Sequence, residues 1–222
     1  MPALVSLFFV FTTLSALLTG YRLPRYVPGV AARRFGTGLC LGGVAFALWS
    51  IAVITRQADL LYTWMTLGLM FLLPALLFFI AAGTTGLSAG TQRIVWVAGV
   101  AAAVFHVLLR LAYPSNPHFS DAGLFYFGEQ PYVKFVTISL LTATIIPATW
   151  VVSREIAAKS ALAAKIFVGA CVTELVGSVL LLASNEDALL FPVGWAMGIG
   201  FLLLLMVSLG MFKSPAQTAR SD

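Results

Sequence analysis

Hydrophobic runs of similar length alternate with short polar connectors along the whole chain. A helix needs about 20 apolar residues, with a range of about 17–25, to cross the hydrocarbon core of a bilayer. Seven runs meet this requirement, and we expect one transmembrane helix in each. They cover residues 3–20, 36–54, 60–82, 93–112, 133–152, 163–184 and 190–212. The pattern therefore predicts an all-α integral membrane protein, a single-domain bundle of seven transmembrane helices.

The longest interruption of this pattern is the segment 113–134, which we call the cap. Three prolines within it disfavour a continuous helix, because proline lacks a backbone donor and restricts the residue before it. The cap also combines aromatic side chains with His118, Asp121 and Glu129. We expect it to form a structured layer over the outer end of the bundle, where an external ligand would first be met.

Composition indicates the same class of protein. The 222 residues are 60% hydrophobic and 9% charged, with a mean hydropathy of +0.99, whereas a soluble domain carries about 25% charged residues. So few charges cannot cover the surface of a water-soluble globule, and we expect the bilayer to surround most of the chain. The net charge of +5 does not indicate nucleic-acid binding, because the basic residues are spread over several connectors.

Charged residues divide between the connectors in a way that predicts orientation. The odd-numbered connectors and the tail hold Arg22, Arg25, Arg33, Arg34, Arg93, Arg154, Lys159, Lys165, Lys213 and Arg220. The even-numbered connectors hold Asp59, Asp121, Glu129, Glu186 and Asp187, with Arg56 and Lys134 as their cations. Because basic connectors stay in the cytoplasm, we expect an external N-terminus and a cytoplasmic C-terminus. No basic residue precedes the first run, so we expect an uncleaved first helix.

Glycines inside the apolar runs predict close contacts between helices, because glycine lets two helix backbones approach each other. The candidates are Gly42, Gly43, Gly169, Gly177, Gly194, Gly198 and Gly200.

Glu174 is the most unusual residue, because it lies near the middle of the sixth run. An ionisable side chain at that depth is costly, so it should face the bundle interior with a partner or be protonated. His106 lies at a similar depth in the fourth run, and Arg110 lies one turn away on the same face. We predict a polar cluster of these three residues. It is open whether the cluster links helices four and six, binds a ligand or proton, or leaves Arg110 snorkelling to the membrane surface.

Aromatic residues and a histidine mark the outer ends of the helices and the cap. Tyr62, Trp64 and Trp195 fall at the level of the membrane surface, where such side chains serve as anchors. The alternative is the aromatic wall of an outward-facing pocket. His118 lies near Asp121 in the cap, and it is either a plain surface histidine or a sensor of pH between about 5 and 8.

No set of residues for catalysis, metal binding or a prosthetic group stands out. No neighbouring nucleophile and base occur, so we predict a protein without enzymatic activity. Cys40 and Cys171 fall in apolar runs and are expected to be buried thiols. Two scattered cysteines and two histidines predict no metal site. We expect no cofactor, since the seventh run has no lysine for a retinal Schiff base and a single histidine within the runs does not suit a haem with paired ligands.

One region resembles a known family. It runs from Tyr21 to Gly86 and contains YRLPRYVPGVAARRFGTGLCLGGVAFALWS and LLYTWMTLGLMFLLPALLFFIAAGTTG. Its features are the basic VPGVAARR segment, the Leu-Trp pair that ends at Trp49, and Pro74 in the third run. Together with the SNPHF motif that opens the cap, residues 15–125 resemble the seven-helix sensor region at the N-terminus of many bacterial histidine kinases.

The resemblance implies a seven-helix sensor fold in a bacterial inner membrane. In that family the last helix leads into a cytoplasmic PAS, kinase or cyclase domain, whereas this sequence contains no phosphoacceptor helix and no nucleotide site. The resemblance therefore implies signalling through a separate partner.

These observations predict a non-enzymatic membrane sensor or ligand-binding protein. Its expected partners are the lipid bilayer, a small apolar or amphipathic ligand, and a membrane or cytoplasmic protein; nucleic acid is not expected. Two alternatives are open. One is a small transporter or channel that uses Glu174 and His106 on an ion or proton path, and the other is an accessory structural subunit of a membrane complex.

Overall fold

A computed structural model describes residues 2–56, 58–121, 124–183 and 187–212. The helices found there are α1 (Pro2–Tyr26), α2 (Val30–Thr55), α3 (Ala58–Gly83), α4 (Ala89–Ala112), α5 (Pro131–Ala157), α6 (Ala161–Ala183) and α7 (Asp187–Ser208). The strands are β1 (His118–Phe119) and β2 (Phe125–Tyr126). All seven helices are long and apolar enough to cross a membrane, so the predicted seven-helix fold is confirmed. Glu186, Lys213 and Arg220, which entered the orientation argument, lie outside the described residues.

Several helices extend further than the apolar runs predicted. α1 continues to Tyr26 instead of ending at 20, α2 begins at Val30 instead of 36, and α5 ends at Ala157 instead of 152. Near the end of α1, Arg25 Nη1 donates a hydrogen bond to Tyr21 O at 2.7 Å, and its guanidinium lies 3.6 Å from the centroid of the Tyr21 ring. Hydropathy measures apolar length and not helix length, since basic side chains allow a helix to continue past the hydrocarbon.

Six helices close a ring, and α4 lies outside it. In the order α1, α2, α3, α5, α6 and α7, each helix packs extensively against the next, and α7 packs against α1. α4 makes slight contacts with α3 and α5. In its spanning segment 6% of the residues are buried, against 28–39% in the other helices, and its buried residue is His106. The ring is therefore the main packing unit, and α4 is a peripheral helix.

Aromatic packing fills the inside of the ring. The ring centroids of Phe35 and Phe79 are 4.9 Å apart, and those of Phe35 and Phe167 are 5.4 Å apart. These contacts join α2, α3 and α6, and Phe167 is fully buried. Because lipid tails are as apolar as these side chains, close packing rather than transfer from water holds the three helices together.

A close backbone contact joins α1 to α2 at two glycines. A Cβ atom on Gly20 would lie 2.5 Å from Gly36 O, and one on Gly36 would lie 2.6 Å from Gly20 O. Among the glycines predicted at helix contacts, those that meet another helix closely are Gly43, Gly177 and Gly200. Those that face open space are Gly42, Gly169 and Gly194, and the prediction is wrong for them. A position in an apolar run gives the depth of a glycine and not the direction in which it faces.

The start of α2 is capped by a carboxylate from α5. Glu155 accepts hydrogen bonds from the N–H groups of Ala31 at 3.1 Å and Ala32 at 2.8 Å. These donors have no acceptor within the helix, and the helix dipole favours a negative charge there. Gly29 precedes the helix, and a Cβ atom at this position would overlap the Glu155 carboxylate. The absence of a side chain at Gly29 therefore lets α5 cap α2.

Further contacts bring the arginine-bearing connectors together at one end of the molecule, which we call the basic end. Lys159 Nζ, beyond the end of α5, donates to Tyr26 O at the end of α1. Arg34 Nη1, near the start of α2, donates to Ala81 O near the end of α3 at 2.8 Å. With the cap of α2 by α5, these contacts join the ends of four helices. The side of the membrane that the basic end faces stays a prediction.

Candidate functional site

The cap folds into a β-hairpin that packs against the bundle. β1 pairs antiparallel with β2, with His118 opposite Tyr126 and Phe119 opposite Phe125. The Phe125 ring packs edge-on against Phe9 of α1, with centroids 6.4 Å apart. The last four residues of the cap, 131–134, begin α5. The hairpin lies between α4 and α5 in the chain, and the contact of Phe125 with Phe9 packs it against α1.

A buried polar cluster joins α4 to α5 and to the cap; we call it the clasp and define it as His106, Arg110, Glu129 and Thr137. Arg110 forms an ion pair with Glu129, and their side chains are 15% and 2% exposed. Arg110 Nε donates to His106 Nε2 at 3.2 Å, and Thr137 Oγ1 hydrogen-bonds the same nitrogen at 2.8 Å. Because α4 is otherwise little buried, the clasp fixes its position against the ring.

Glu174 lies outside the clasp, which corrects the predicted cluster. The structure brings His106 and Arg110 together, as predicted, but the carboxylate that pairs with Arg110 is that of Glu129. The cluster therefore joins α4 to the cap and α5, and it does not reach α6. The Glu174 carboxyl group instead packs against Gly200 of α7. Both of its oxygens are buried and no described side chain bonds them, while the backbone N–H of Phe201 in α7 is within reach as a donor.

An apolar cleft of about 380 Å³ lies between α1, α7 and the hairpin. None of its lining residues is charged, and they include Phe8, Phe9, Phe125, Phe127, Leu181 and Trp195. Gly194 and Gly198 lie one turn apart on α7 and also line the cleft. A Cβ atom on Gly194 would meet nothing within 4 Å, and one on Gly198 would lie 3.9 Å from the Phe8 ring. The glycines therefore create the space on the α7 side.

The three predicted surface aromatics take different positions. Tyr62 is exposed on α3, and Trp64 is half-buried beside the cluster that contains Trp49. Trp195 is exposed at the apolar cleft, with its ring 6.3 Å from that of Phe191. Of the three, Trp195 is the one that lines this cleft, while the other two do not.

His118 and Asp121 both lie in the hairpin, but no described contact joins them. The His118 ring stacks on Tyr126 with centroids 5.4 Å apart and an interplanar angle of 10°. Its Nδ1 hydrogen-bonds Asn116 O at 2.9 Å. Asp121 is exposed at the turn. The contacts of His118 are therefore those of a residue that shapes the hairpin.

Two members of the clasp were missed by the sequence reasoning. Glu129 was noted in the cap without a partner, and Thr137 was not singled out. The sequence does indicate the pair of Arg110 and Glu129. Arg110 lies in the last turn of a spanning helix, and Glu129 follows 19 positions later in the connector. An arginine at that depth needs an acceptor, and the acid of the next connector is within reach.

No protein-family model and no curated protein matches this chain. The resemblance to the sensor region of histidine kinases therefore stays a prediction. Cys40 and Cys171 are free thiols, the first half-buried and the second buried. Within the described ranges, no group of three or more His, Cys, Asp or Glu side chains is placed to hold a metal ion.

Proposed function

We propose that this protein is a non-enzymatic membrane sensor that binds a single-chain apolar or amphipathic molecule in the apolar cleft. The observation that carries the proposal is the cleft itself, about 380 Å³ of space bounded by uncharged residues beside the hairpin. Ligand sites in proteins are typically concave, mostly apolar and about 300–1,000 Å³ in volume. The size and chemistry of this cleft fall in that class.

The surroundings of the cleft favour a ligand that comes from the bilayer. Its walls belong to α1 and α7, two helices apolar enough to span a membrane. An acyl chain needs no polar partner inside such a cleft, whereas a polar solute would lose its hydration without compensation. Trp195 is exposed and its indole N–H can bond a polar group at membrane-surface level. A fatty acid or a similar single-chain amphiphile combines these features.

A series of contacts leads from the cleft to α4. Phe127 lines the cleft and packs edge-on against Trp49 of α2 at 5.3 Å. Glu129 follows two residues later and pairs with Arg110 of α4. A ligand that displaces the hairpin would thus alter the clasp, which holds the least buried helix. Signalling requires that the ligand bind one arrangement more tightly than the other, and the two arrangements in this proposal are α4 docked and α4 released.

The proposal extends to location and partner. We place the basic end in the cytoplasm of a bacterial cell, since basic connectors favour that side of the membrane. A separate protein would read the movement of α4 there. The resemblance of residues 15–125 to histidine-kinase sensor regions supports this arrangement, and the slight packing of α4 makes it the helix that moves at least cost.

Photolabelling of the purified chain in lipid nanodiscs tests the binding. A fatty acid that carries a diazirine should label peptides of α1, the hairpin and α7. Gly194→Phe places a ring in the cleft, and we expect labelling there to fall about tenfold, a change equivalent to about 1.4 kcal/mol. Gly169→Phe on α6 is the matched control, because a Cβ atom there also meets nothing within 4 Å.

Hydrogen exchange of α4 with and without the fatty acid tests the signalling step. We expect a change in the wild type and in Gly169→Phe, and none in Gly194→Phe. Equal labelling of both variants would contradict the binding proposal. Normal labelling with unchanged exchange of α4 would contradict the sensor mechanism alone.

A transporter or channel is the second candidate, and the Glu174 carboxyl group is the observation that favours it. Buried intramembrane carboxyl groups mark proton and ion paths in many membrane proteins, and no described side chain bonds either oxygen of Glu174. His106 belongs to the clasp, so this path would not use the predicted pair. Proteoliposome flux that disappears in Glu174→Gln and persists in Asp121→Asn would support this candidate, and no flux in the wild type would exclude it.

A further inference from the structure

A second cleft, which we call the basic cleft, opens at the basic end between the end of α3 and the start of α4. Its volume is about 410 Å³. The lining residues that matter here are Arg34, Thr84, Ala89, Gln92, Arg93 and Trp96. The basic cleft shares no lining residue with the apolar cleft, so the inference does not depend on the proposed function.

Two guanidinium groups line this cleft without a carboxylate among the lining residues. Arg34 is held in place because its Nη1 donates to Ala81 O at 2.8 Å and to Thr85 Oγ1 at 3.2 Å. Arg93 is exposed and bonds no acceptor among the described residues. Guanidinium groups bind phosphate oxygens through paired N–H donors. The cleft therefore offers two positive charges for which its own walls supply no counter-ion.

The start of α4 forms part of the cleft wall. Ser88 caps the helix by accepting a hydrogen bond from Thr91 N at 3.2 Å. Ala89 lines the cleft in the first turn, where the N–H groups have no acceptor within the helix. The partial positive charge of a helix start also favours anions. The helix start thus makes the cleft more favourable for an anion, but the two arginines contribute most of its positive charge.

The apolar surroundings decide between a lipid and a dissolved anion. Trp96 lines the cleft and is exposed, and its sequence neighbours Ile94 and Val97, elsewhere on the helix surface, are also largely exposed. All three lie within the spanning segment of α4. A dissolved anion would gain nothing from these side chains, whereas a phospholipid brings acyl chains that cover them.

We propose that the basic cleft binds the headgroup phosphate of an anionic phospholipid. Arg34 and Arg93 bind the phosphate, and the acyl chains lie along the outer face of α4. Basic pockets between transmembrane helices are known to bind anionic headgroups. A lipid in this position would also fill the space between α3 and α4, which contact each other slightly.

Native mass spectrometry of the full chain in detergent tests the proposal with three probes: phosphatidylglycerol, phosphatidylcholine and inorganic phosphate. We expect the wild type to bind one phosphatidylglycerol at least about tenfold more tightly than phosphatidylcholine, and Arg93→Gln to lose about tenfold in that affinity. Because Arg93 bonds no described residue, its replacement should leave the thermal unfolding temperature unchanged. The double variant Arg34→Gln/Arg93→Gln should no longer distinguish the two lipids.

Arg33→Gln/Arg154→Gln is the matched control, because it removes two exposed arginines from the same end without changing the cleft lining. Its affinity for phosphatidylglycerol should stay within about threefold of the wild type. Equal losses in the two double variants would indicate general attraction to the basic end and would overturn the proposal. Inorganic phosphate that binds as tightly as phosphatidylglycerol would overturn it as well, and so would an Arg93→Gln protein that binds the lipid normally.

Discussion

Removal of Glu129 is the sharpest test of how α4 is held. Its side chain is 2% exposed and pairs with Arg110. Loss of one partner of a buried ion pair costs about 3–5 kcal/mol, because the other charge is left buried without compensation. Arg110 keeps its hydrogen bond to His106, and its side chain is 15% exposed, so water reaches part of the charge. We therefore expect Glu129→Ala to lower the free energy of unfolding by about 3 kcal/mol, the lower end of that range.

A double-mutant cycle separates the ion pair from other effects of the substitutions. Apolar replacement of both partners of a buried pair is often neutral or stabilising. The four corners of the cycle are the wild type, Arg110→Met, Glu129→Leu and Arg110→Met/Glu129→Leu; the double variant should lie within about 1 kcal/mol of the wild type, although each single change is costly. The corresponding coupling energy should be at least about 2 kcal/mol. Reversible unfolding by dodecyl sulfate in mixed micelles measures the free energy of unfolding of all four proteins.

Asp121→Asn provides the control, because it removes an exposed acidic charge from the same hairpin. We expect its effect to stay below about 0.5 kcal/mol. Hydrogen exchange should increase most in α4 when Glu129 is replaced. If Glu129→Ala is as stable as Asp121→Asn, or if the cycle is additive within about 0.5 kcal/mol, the clasp does not hold α4 and the reasoning fails.

Two further substitutions test close contacts of glycine. Gly29→Ala should cost about 1 kcal/mol, because the new Cβ would displace the Glu155 carboxylate that caps α2, and thermal unfolding in nanodiscs measures this loss. Unchanged stability would show that the cap contributes little. Gly68→Ala should cost about 1–3 kcal/mol, because its Cβ would overlap the indole of Trp49. Tryptophan fluorescence should change with it, whereas Gly42→Ala, which faces open space, should leave stability and fluorescence as they are.

The fold could be predicted from sequence because the bilayer imposes nearly the same apolar length on every spanning helix. The ends of the helices were less predictable. α1 continues past its apolar run to Tyr26, and Arg25 folds back onto Tyr21 in the added segment. Hydropathy contains no information about that contact. The grouping of the basic connectors at one end followed from counting spans, and the contact between Glu155 and the start of α2 agrees with it.

The candidate site was predicted in part, and the missing part has a physical cause. His106 and Arg110 were placed together correctly because they lie on one helix, where a spacing of four residues fixes a shared face. Glu174 lies on another helix, and equal depth does not determine the rotation of α6 about its axis. Glu129 lies in a connector without helical periodicity, so its meeting with Arg110 depends on the path of the hairpin, and no sequence period describes that path.

Ribosomal synthesis delivers α4 before either of its polar partners. Arg110 precedes Glu129 by 19 residues, and His106 precedes Thr137 by 31 residues. At about 5–20 residues per second, α4 waits roughly one to six seconds for these groups to be made. During that interval Arg110 lacks the Glu129 carboxylate and His106 lacks the Thr137 hydroxyl, and the two residues can bond only each other. We therefore expect α4 to leave the insertion machinery only together with α5. Although α4 is translated first, the two helices would enter the membrane as a pair.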